Sequence, residues 1–236
     1  MEYLFLQKLY EDDFLLLKGI RKDDSDTCIV SFTGVGHAMG GMDVQKEEFV
    51  GTALKNGNVL FVTDKTRSWS NKISRERLLE AFHQFGSFEK IVAIGSSMGG
   101  TNSLILGSLL GCKTVIAFTP QYSVHPDIFP DLKNQKWMKY RDSIDEWVCK
   151  SVDEYIPSEC REYVFHGDSS LELMHARKFS QRDNRIHLIL EGCGHGVSMF
   201  LKDRGVLSGV VDRCIAGAGR DELVSFLFSV DISVQN

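Results

Sequence analysis

One stretch determines the fold that this sequence predicts: Ile91-Val92-Ala93-Ile94-Gly95-Ser96-Ser97-Met98-Gly99-Gly100. Its apolar, β-branched first half is typical of a buried strand, and the Gly-Ser-Ser-Met-Gly that follows has the pattern G-x-S-x-G. The pattern predicts a tight turn from strand to helix that raises the hydroxyl of Ser97 above a sheet. Gly95 and Gly99 remove side chains that would collide across that turn. The main-chain N–H of Met98 would then lie at the start of a helix, where negative charge is stabilised.

Strands and helices alternate on both sides of this stretch. The other predicted strands cover residues 3–9, 13–18, 27–32, 58–63, 114–118, 162–166 and 186–190. The other predicted helices cover residues 44–55, 73–85, 135–150, 170–181, 205–216 and 220–229. Near-continuous apolar strands that alternate with amphipathic helices indicate right-handed crossovers. The sequence therefore predicts an α/β fold, with a mostly parallel, doubly wound sheet of about eight strands and helices on both faces.

The alternation is interrupted once, between residues 120 and 161. All four prolines of the chain fall in this range, which also carries a run of aromatic residues around Trp137. We interpret residues 120–161 as a small lid inserted after the sixth strand of a single domain that spans residues 1–236.

Composition excludes several classes of function. The formal net charge is −5 and no basic run is present, so we expect no nucleic-acid partner. No basic, apolar leader begins the chain and no apolar stretch approaches the length of a membrane span, so we expect a cytoplasmic protein. The cysteines are scattered without a C-x-x-C pair, which predicts reduced thiols and no metal site. The glycine-rich loop over residues 33–41 lacks the dinucleotide spacing, and we expect no cofactor.

Two further residues are predicted to lie near Ser97. Asp168 follows the seventh predicted strand and His195 follows the eighth, and in a parallel sheet the carboxyl ends of the strands border one crevice. A serine nucleophile needs a base, and the base needs a carboxylate that orients it. The chain order serine, acid, histidine provides all three.

In these motifs the sequence resembles the α/β-hydrolase superfamily, from about residue 27 to residue 200. The resemblance implies an oxyanion hole made by the main-chain N–H groups of Met98 and of a residue in the loop after the third strand. Thr33-Gly34 stands where the family has His-Gly, which indicates Val35 as the second donor, with Gly34 as the alternative.

The position of the acid departs from the family pattern. Relatives often place the carboxylate three residues after the glycine of His-Gly, and that position is Ser170 here. Counting back from His175-Ala176, a pair that resembles a common feature of the family's helix, leads to Asp168 instead. We predict Asp168 as the acid and keep Glu172 as the alternative, because Ser169-x-x-Glu172 is also the pattern of a helix capping box.

The predicted function is that of a serine hydrolase acting on esters of small to medium substrates. Gly34, His37 and Trp137 are candidates for substrate contact, although a lone histidine or a tryptophan at helical spacing is more often structural. Two alternatives remain open. One is an acyltransferase that uses the same side chains with a sugar or another alcohol as acceptor, and the other is a non-catalytic binding module. The sequence also leaves a homodimer open.

Overall fold

The computed structural model describes residues 5–22, 24–36, 41–130, 132, 135–154 and 159–235. Its centre is one eight-stranded sheet with the strand order β1-β2-β4-β3-β5-β6-β7-β8. The strands are β1 (Gln7–Glu11), β2 (Leu15–Ile20), β3 (Thr27–Phe32), β4 (Asn58–Asp64), β5 (Lys90–Ser96), β6 (Thr114–Phe118), β7 (Arg161–Gly167) and β8 (Arg185–Leu190). β1 and β2 are antiparallel to their neighbours, and β3 to β8 run parallel. The predicted mostly parallel sheet is confirmed.

Helices cover both faces of the sheet. They are α1 (Val50–Asn56), α2 (Arg75–Phe85), α3 (Met98–Leu106), α4 (Met138–Arg141), α5 (Ser170–Ala176), α6 (Val197–Asp203), α7 (Leu207–Ala216) and α8 (Arg220–Phe228). Buried side chains of α2 and α3 belong to the core on one face, and those of α1, α6, α7 and α8 belong to the core on the other.

The two cores follow from the alternation of side chains along each strand. In β6, Val115 and Ala117 belong to the core on the face that α3 covers, whereas Ile116 and Phe118 belong to the core on the opposite face. Because both faces of a parallel strand are covered, β6 is apolar at nearly every position, as its sequence predicts. All six cysteines are buried and unpaired.

The segment between β6 and β7 differs from the prediction. Instead of a helix over residues 135–150, it has the single turn α4 and a 3₁₀ turn at Val152–Glu154. Side chains from the body of the protein bind its main chain: Lys72 donates to the carbonyl of Ser143 at 2.5 Å, and the N–H of Cys149 donates to Asn71. These bonds replace the regular pattern of a longer helix. That this segment acts as a lid, and that the chain is one domain, remain predictions.

Helix α6 was not expected. It begins directly after Gly196, at the end of a glycine-rich stretch, and lies outside the predicted helices. Its buried residues Val197 and Leu201 lie four positions apart and join the core beside α7. Packing of this apolar pair against the sheet outweighs the weak local helix signal.

The close approach between β5 and α3 makes a testable prediction about glycine. A Cβ atom on Gly95 would lie 2.2 Å from main-chain atoms of Gly99. Gly95→Ala should therefore destabilise the fold by about 1–3 kcal/mol or more, because backbone atoms must move to accept it. Chemical denaturation measures the change in the free energy of unfolding.

Gly51→Ala is the matched control. Gly51 lies in α1, and a Cβ atom there meets nothing within 4 Å. This substitution should leave stability unchanged or raise it by about 0.4–1 kcal/mol, because alanine reduces the entropy of the unfolded chain. Equal effects of the two substitutions would contradict the packing described for the turn.

Candidate active site

Ser97 lies on the turn between β5 and α3 in a backbone conformation that is rare for any residue with a side chain. Its φ is 56° and its ψ is −125°. Neighbouring glycines make the turn sterically feasible, since a Cβ atom on Gly99 would lie 2.2 Å from the carbonyl oxygen of Phe32. The main chain is held in place by a bond from the N–H of Ser97 to the carbonyl of Phe118 at 2.9 Å. Strain of this kind persists where the surrounding structure enforces it, and it is concentrated at functional sites.

Three side chains form a continuous hydrogen-bonded chain above this turn. The Nε2 atom of His195 lies 2.8 Å from Oγ of Ser97, and its Nδ1 atom lies 2.7 Å from Oε1 of Glu172. Glu172 is 2% exposed, whereas the side chain of His195 is 48% exposed. A buried carboxylate therefore fixes one edge of an imidazole whose other edge faces Ser97 and solvent.

Asp168, the acid predicted from the sequence, does not contact His195. Its carboxylate instead accepts a bond from the N–H of Gly192 at 2.9 Å, and its own N–H donates to the carbonyl of Cys193 at 2.9 Å. Asp168 thus ties the turn after β7 to the turn after β8. In the structure the partner of His195 is the alternative acid, Glu172, and not Asp168.

The reason for the difference lies in the first turn of α5. The hydroxyl of Ser169 caps this helix by accepting from the N–H of Glu172 at 3.5 Å, as the capping-box pattern indicated. The carboxylate of Glu172 is bound to His195, not to the main chain of Ser169. A glutamate at this spacing can either complete a capping box or bind a histidine. Only its burial against the imidazole shows which of the two roles it has here.

The two predicted oxyanion-hole residues belong to one buried apolar cluster, in which Val35 and Met98 pack with Trp69. Their role as oxyanion donors remains a prediction. As the first residue of α3, Met98 has an N–H without an intrahelical acceptor. The N–H of Gly34 donates to Oε1 of Glu48 at 2.9 Å, so the alternative donor is engaged elsewhere. His37 lies outside the described residues.

The carboxyl of Glu48, which binds the loop that carries Gly34 and Val35, has a shifted pKa. Burial raises the pKa of its carboxyl from 4.5 to about 7, and the bond from the N–H of Gly34 partly opposes that shift. The same segment is fastened to the sheet by a bond from the hydroxyl of Ser31 to the main-chain carbonyl of Glu48. The carboxyl of Glu48 therefore helps to set the position of the loop that carries Val35.

Trp137 packs against the buried cluster that contains Met98 and Trp69. It is half-buried and makes an edge-to-face contact with Trp69, with 5.4 Å between ring centroids. Trp69 in turn is held by a loop organised around the buried carboxylate of Asp64, which accepts bonds from the N–H groups of Ser68 and Ser70. Asp64 therefore has a structural role in holding this loop. A substrate contact by Trp137 remains a prediction.

Sequence reasoning missed one polar side chain at the site. Gln121 follows β6, is 3% exposed, and donates from Nε2 to Oγ of Ser97 at 3.0 Å. Its only sequence signal was its position just after an apolar strand, since a single glutamine belongs to no motif used above. No group of three or more potential metal ligands occurs within the described ranges, and no helix there is long and apolar enough to cross a membrane.

The shifted pKa of Glu48 makes a prediction about stability and pH. The folded protein binds this proton more tightly than the unfolded chain, so ionisation of Glu48 should reduce stability progressively as the pH rises from 4.5 to about 7. Glu48→Gln removes the titrating group and retains an oxygen that can accept from Gly34. We expect the stability of this variant relative to the unmodified protein to rise across that pH window. Thermal unfolding at a series of pH values measures it.

Glu47→Gln provides the opposite case. The carboxylate of Glu47 accepts a bond from Lys18 that holds its pKa below 4.5, although desolvation works against this. Its stabilising contribution is present above that value and is lost as the pH falls through the lowered pKa. The relative stability of Glu47→Gln should therefore be lowest near neutral pH. If Glu48→Gln follows the unmodified protein at every pH, the assignment to Glu48 is refuted.

Comparison with known proteins gives a fold-level relationship. No protein-family model and no curated protein sequence matches the chain. Solved structures do match. A capsule O-acetyltransferase of Neisseria meningitidis serogroup A has a TM-score of 0.61 at 15% identity, over 88% of this chain and 94% of its own. An esterase of Pyrococcus furiosus has a TM-score of 0.58 at 16% identity, over 90% of this chain and 93% of its own.

A third match is a carboxylesterase of Bacillus subtilis, with a TM-score of 0.57 at 14% identity, over 92% of this chain and 94% of its own. At such low identity these similarities establish architecture and not activity. Together with the strand order and the serine turn between β5 and α3, they show that the chain has the α/β-hydrolase fold.

Proposed function

We propose that the protein is a serine hydrolase that cleaves carboxylic esters of small to medium substrates through an acyl-enzyme intermediate. The observation that carries this proposal is the pair of hydrogen bonds from Ser97 to His195 and from His195 to Glu172. A hydroxyl, an imidazole and a buried carboxylate in this order form the arrangement that activates serine in acyl transfer.

Acylation would begin with attack of Oγ of Ser97 on the ester carbonyl. His195 accepts the hydroxyl proton at Nε2 and then gives it to the departing alcohol, while Glu172 stabilises the imidazolium from the Nδ1 side. The carbonyl oxygen, negatively charged in the tetrahedral intermediate, would be bound by the N–H groups of Met98 and Val35. Deacylation repeats these steps with water as the nucleophile and Ser97 as the leaving group.

Acyl transfer to an alcohol is the second candidate function, and the exposure of His195 supports it. A side chain that is 48% exposed can be reached by an acceptor larger than water. One of the structural matches is described as an O-acetyltransferase, so this fold can host that reaction. Addition of a polyol to an ester assay separates the two candidates, because transfer yields an acylated polyol and hydrolysis does not.

Labelling with a fluorophosphonate probe tests the proposed function. The unmodified protein should react at Ser97, and Ser97→Ala should abolish labelling, because the alanine variant has no nucleophile. Intact-protein mass spectrometry measures the adduct. Ser96→Ala is the matched control: Ser96 is the adjacent serine, and its hydroxyl contacts Ser198 at 3.3 Å. It should retain labelling.

A folded protein that does not react with the probe would contradict the proposal and favour a binding module. Loss of labelling in Ser96→Ala but not in Ser97→Ala would show that the nucleophile is Ser96 and not Ser97.

Paired substitutions of the two carboxylates test which acid orients the histidine. Glu172→Gln should lower kcat by about 10³–10⁴, as loss of a triad carboxylate does elsewhere, because the imidazole loses its partner at Nδ1. Asp168→Asn should lower it by about tenfold or less, since Asp168 only joins two turns, through a bond that contributes about 1 kcal/mol. Steady-state ester hydrolysis measures both. The reverse ranking would restore Asp168 as the acid.

A further inference from the structure

The nucleophile has a second hydrogen-bonding partner besides the histidine. Nε2 of Gln121 donates to Oγ of Ser97 at 3.0 Å, and Oγ also lies 2.8 Å from Nε2 of His195. When His195 is neutral and accepts the hydroxyl proton, Ser97 donates one hydrogen bond and accepts another. Both bonds fix the hydroxyl, so Oγ is oriented by two side chains from different loops.

The direction of the Gln121 amide is determined by its other neighbour. The indole N–H of Trp69 donates to Oε1 of Gln121 at 3.2 Å, and an indole nitrogen can only donate. The amide oxygen therefore faces Trp69, and the NH₂ group faces Ser97. Thr101 adds a longer contact to the same oxygen at 3.4 Å.

The backbone that carries Gln121 is strained and firmly held. Thr119 has a φ of 46° and precedes Pro120, although a residue before proline favours an extended conformation. The N–H of Thr119 donates to the carbonyl of Phe165 at 2.6 Å, and Nε2 of the buried His166 lies 3.0 Å from the carbonyl of Pro120. The structure around this bend enforces an unfavourable conformation that places an amide against the nucleophile.

We infer that Gln121 is a catalytic residue of the proposed acyl-transfer reaction, an inference that rests on the proposed function. In acylation its N–H holds Oγ in line with His195 while the proton moves to Nε2 and the bond from Oγ to the acyl carbon forms. In deacylation that bond breaks, Oγ takes a proton back from His195, and the same N–H stabilises the negative charge that develops on Oγ as it leaves.

An amide suits this position better than a charged group. It does not ionise, so it donates to Oγ without competing with His195 for the proton of Ser97. A carboxylate at the same place would accept that proton and would repel the developing charge. Gln121 thus differs from the oxyanion donors, which bind the carbonyl oxygen of the substrate and not the oxygen of the nucleophile.

The test compares Gln121→Met with the unmodified protein. Methionine has a similar length and no N–H, and we expect both kcat/KM for an aryl acetate and the rate constant for fluorophosphonate labelling to fall by about 10- to 100-fold, as expected for loss of a bond to a charged atom. Gln121→Glu retains an oxygen that can accept from Trp69 and should lose at least as much activity. If Gln121→Met does not fold, Gln121→Glu is the variant that tests the role of the N–H.

Asn58→Leu is the control for loss of a buried amide away from the site. Asn58 lies at the start of β4 and bonds main-chain groups of Lys22, Ser25 and Thr27. It should lower thermal stability while keeping kcat/KM of the folded protein within about threefold, since its bonds of about 1 kcal/mol are structural.

Trp69→Phe tests the orientation of the amide. As a single substitution it removes the N–H that aligns Gln121, and it should therefore lower kcat/KM. Combined with Gln121→Met it should add little further loss, because Trp69 acts on Ser97 through the amide of Gln121. Fully additive losses would mean that Trp69 acts by packing alone.

Unchanged kcat/KM and labelling in both Gln121 variants would overturn the inference and leave the proposed function intact. An unmodified protein that does not label would overturn the proposed function and the inference with it.

Discussion

The whole site depends on the conformation of one residue. Ser97 adopts φ 56° and ψ −125° because β5 ends directly against the first turn of α3, with no room for side chains at Gly95 or Gly99. This constraint places the hydroxyl between the carboxyl end of β5 and the first turn of α3, and a helix start favours negative charge. An unstrained turn would move the hydroxyl of Ser97 away from His195 and Gln121, and the hydrogen bonds to both would be lost.

The sheet then supplies partners from three separate strand ends. Gln121 follows β6 and His195 follows β8, and both contact Ser97, whereas Glu172 lies in the helix after β7 and contacts His195. Parallel strands bring such residues together without any closeness in sequence. The side chain of His195 is about half exposed to solvent, whereas Glu172 and Gln121 are buried.

Much of this arrangement could be predicted from the sequence. Strong local patterns, such as the apolar strands and the glycine-flanked serine, predicted the parallel sheet, the position of Ser97 and its pairing with His195. The choice between Asp168 and Glu172 could not be settled, because both lie near the end of β7 and the deciding factor is which carboxylate is buried against the imidazole. Gln121 could not be found at all: its role depends on a strained bend at Thr119 and on an indole N–H from a distant loop.

A crystal structure of the protein after inactivation by a small organophosphonate tests the central claim most directly. The account predicts phosphorus bonded to Oγ of Ser97, a phosphoryl oxygen within hydrogen-bond distance of the N–H groups of Met98 and Val35, and the ring of His195 between Oγ and Glu172. An adduct on another residue, or an imidazole paired with Asp168 while Glu172 stands apart, would contradict it.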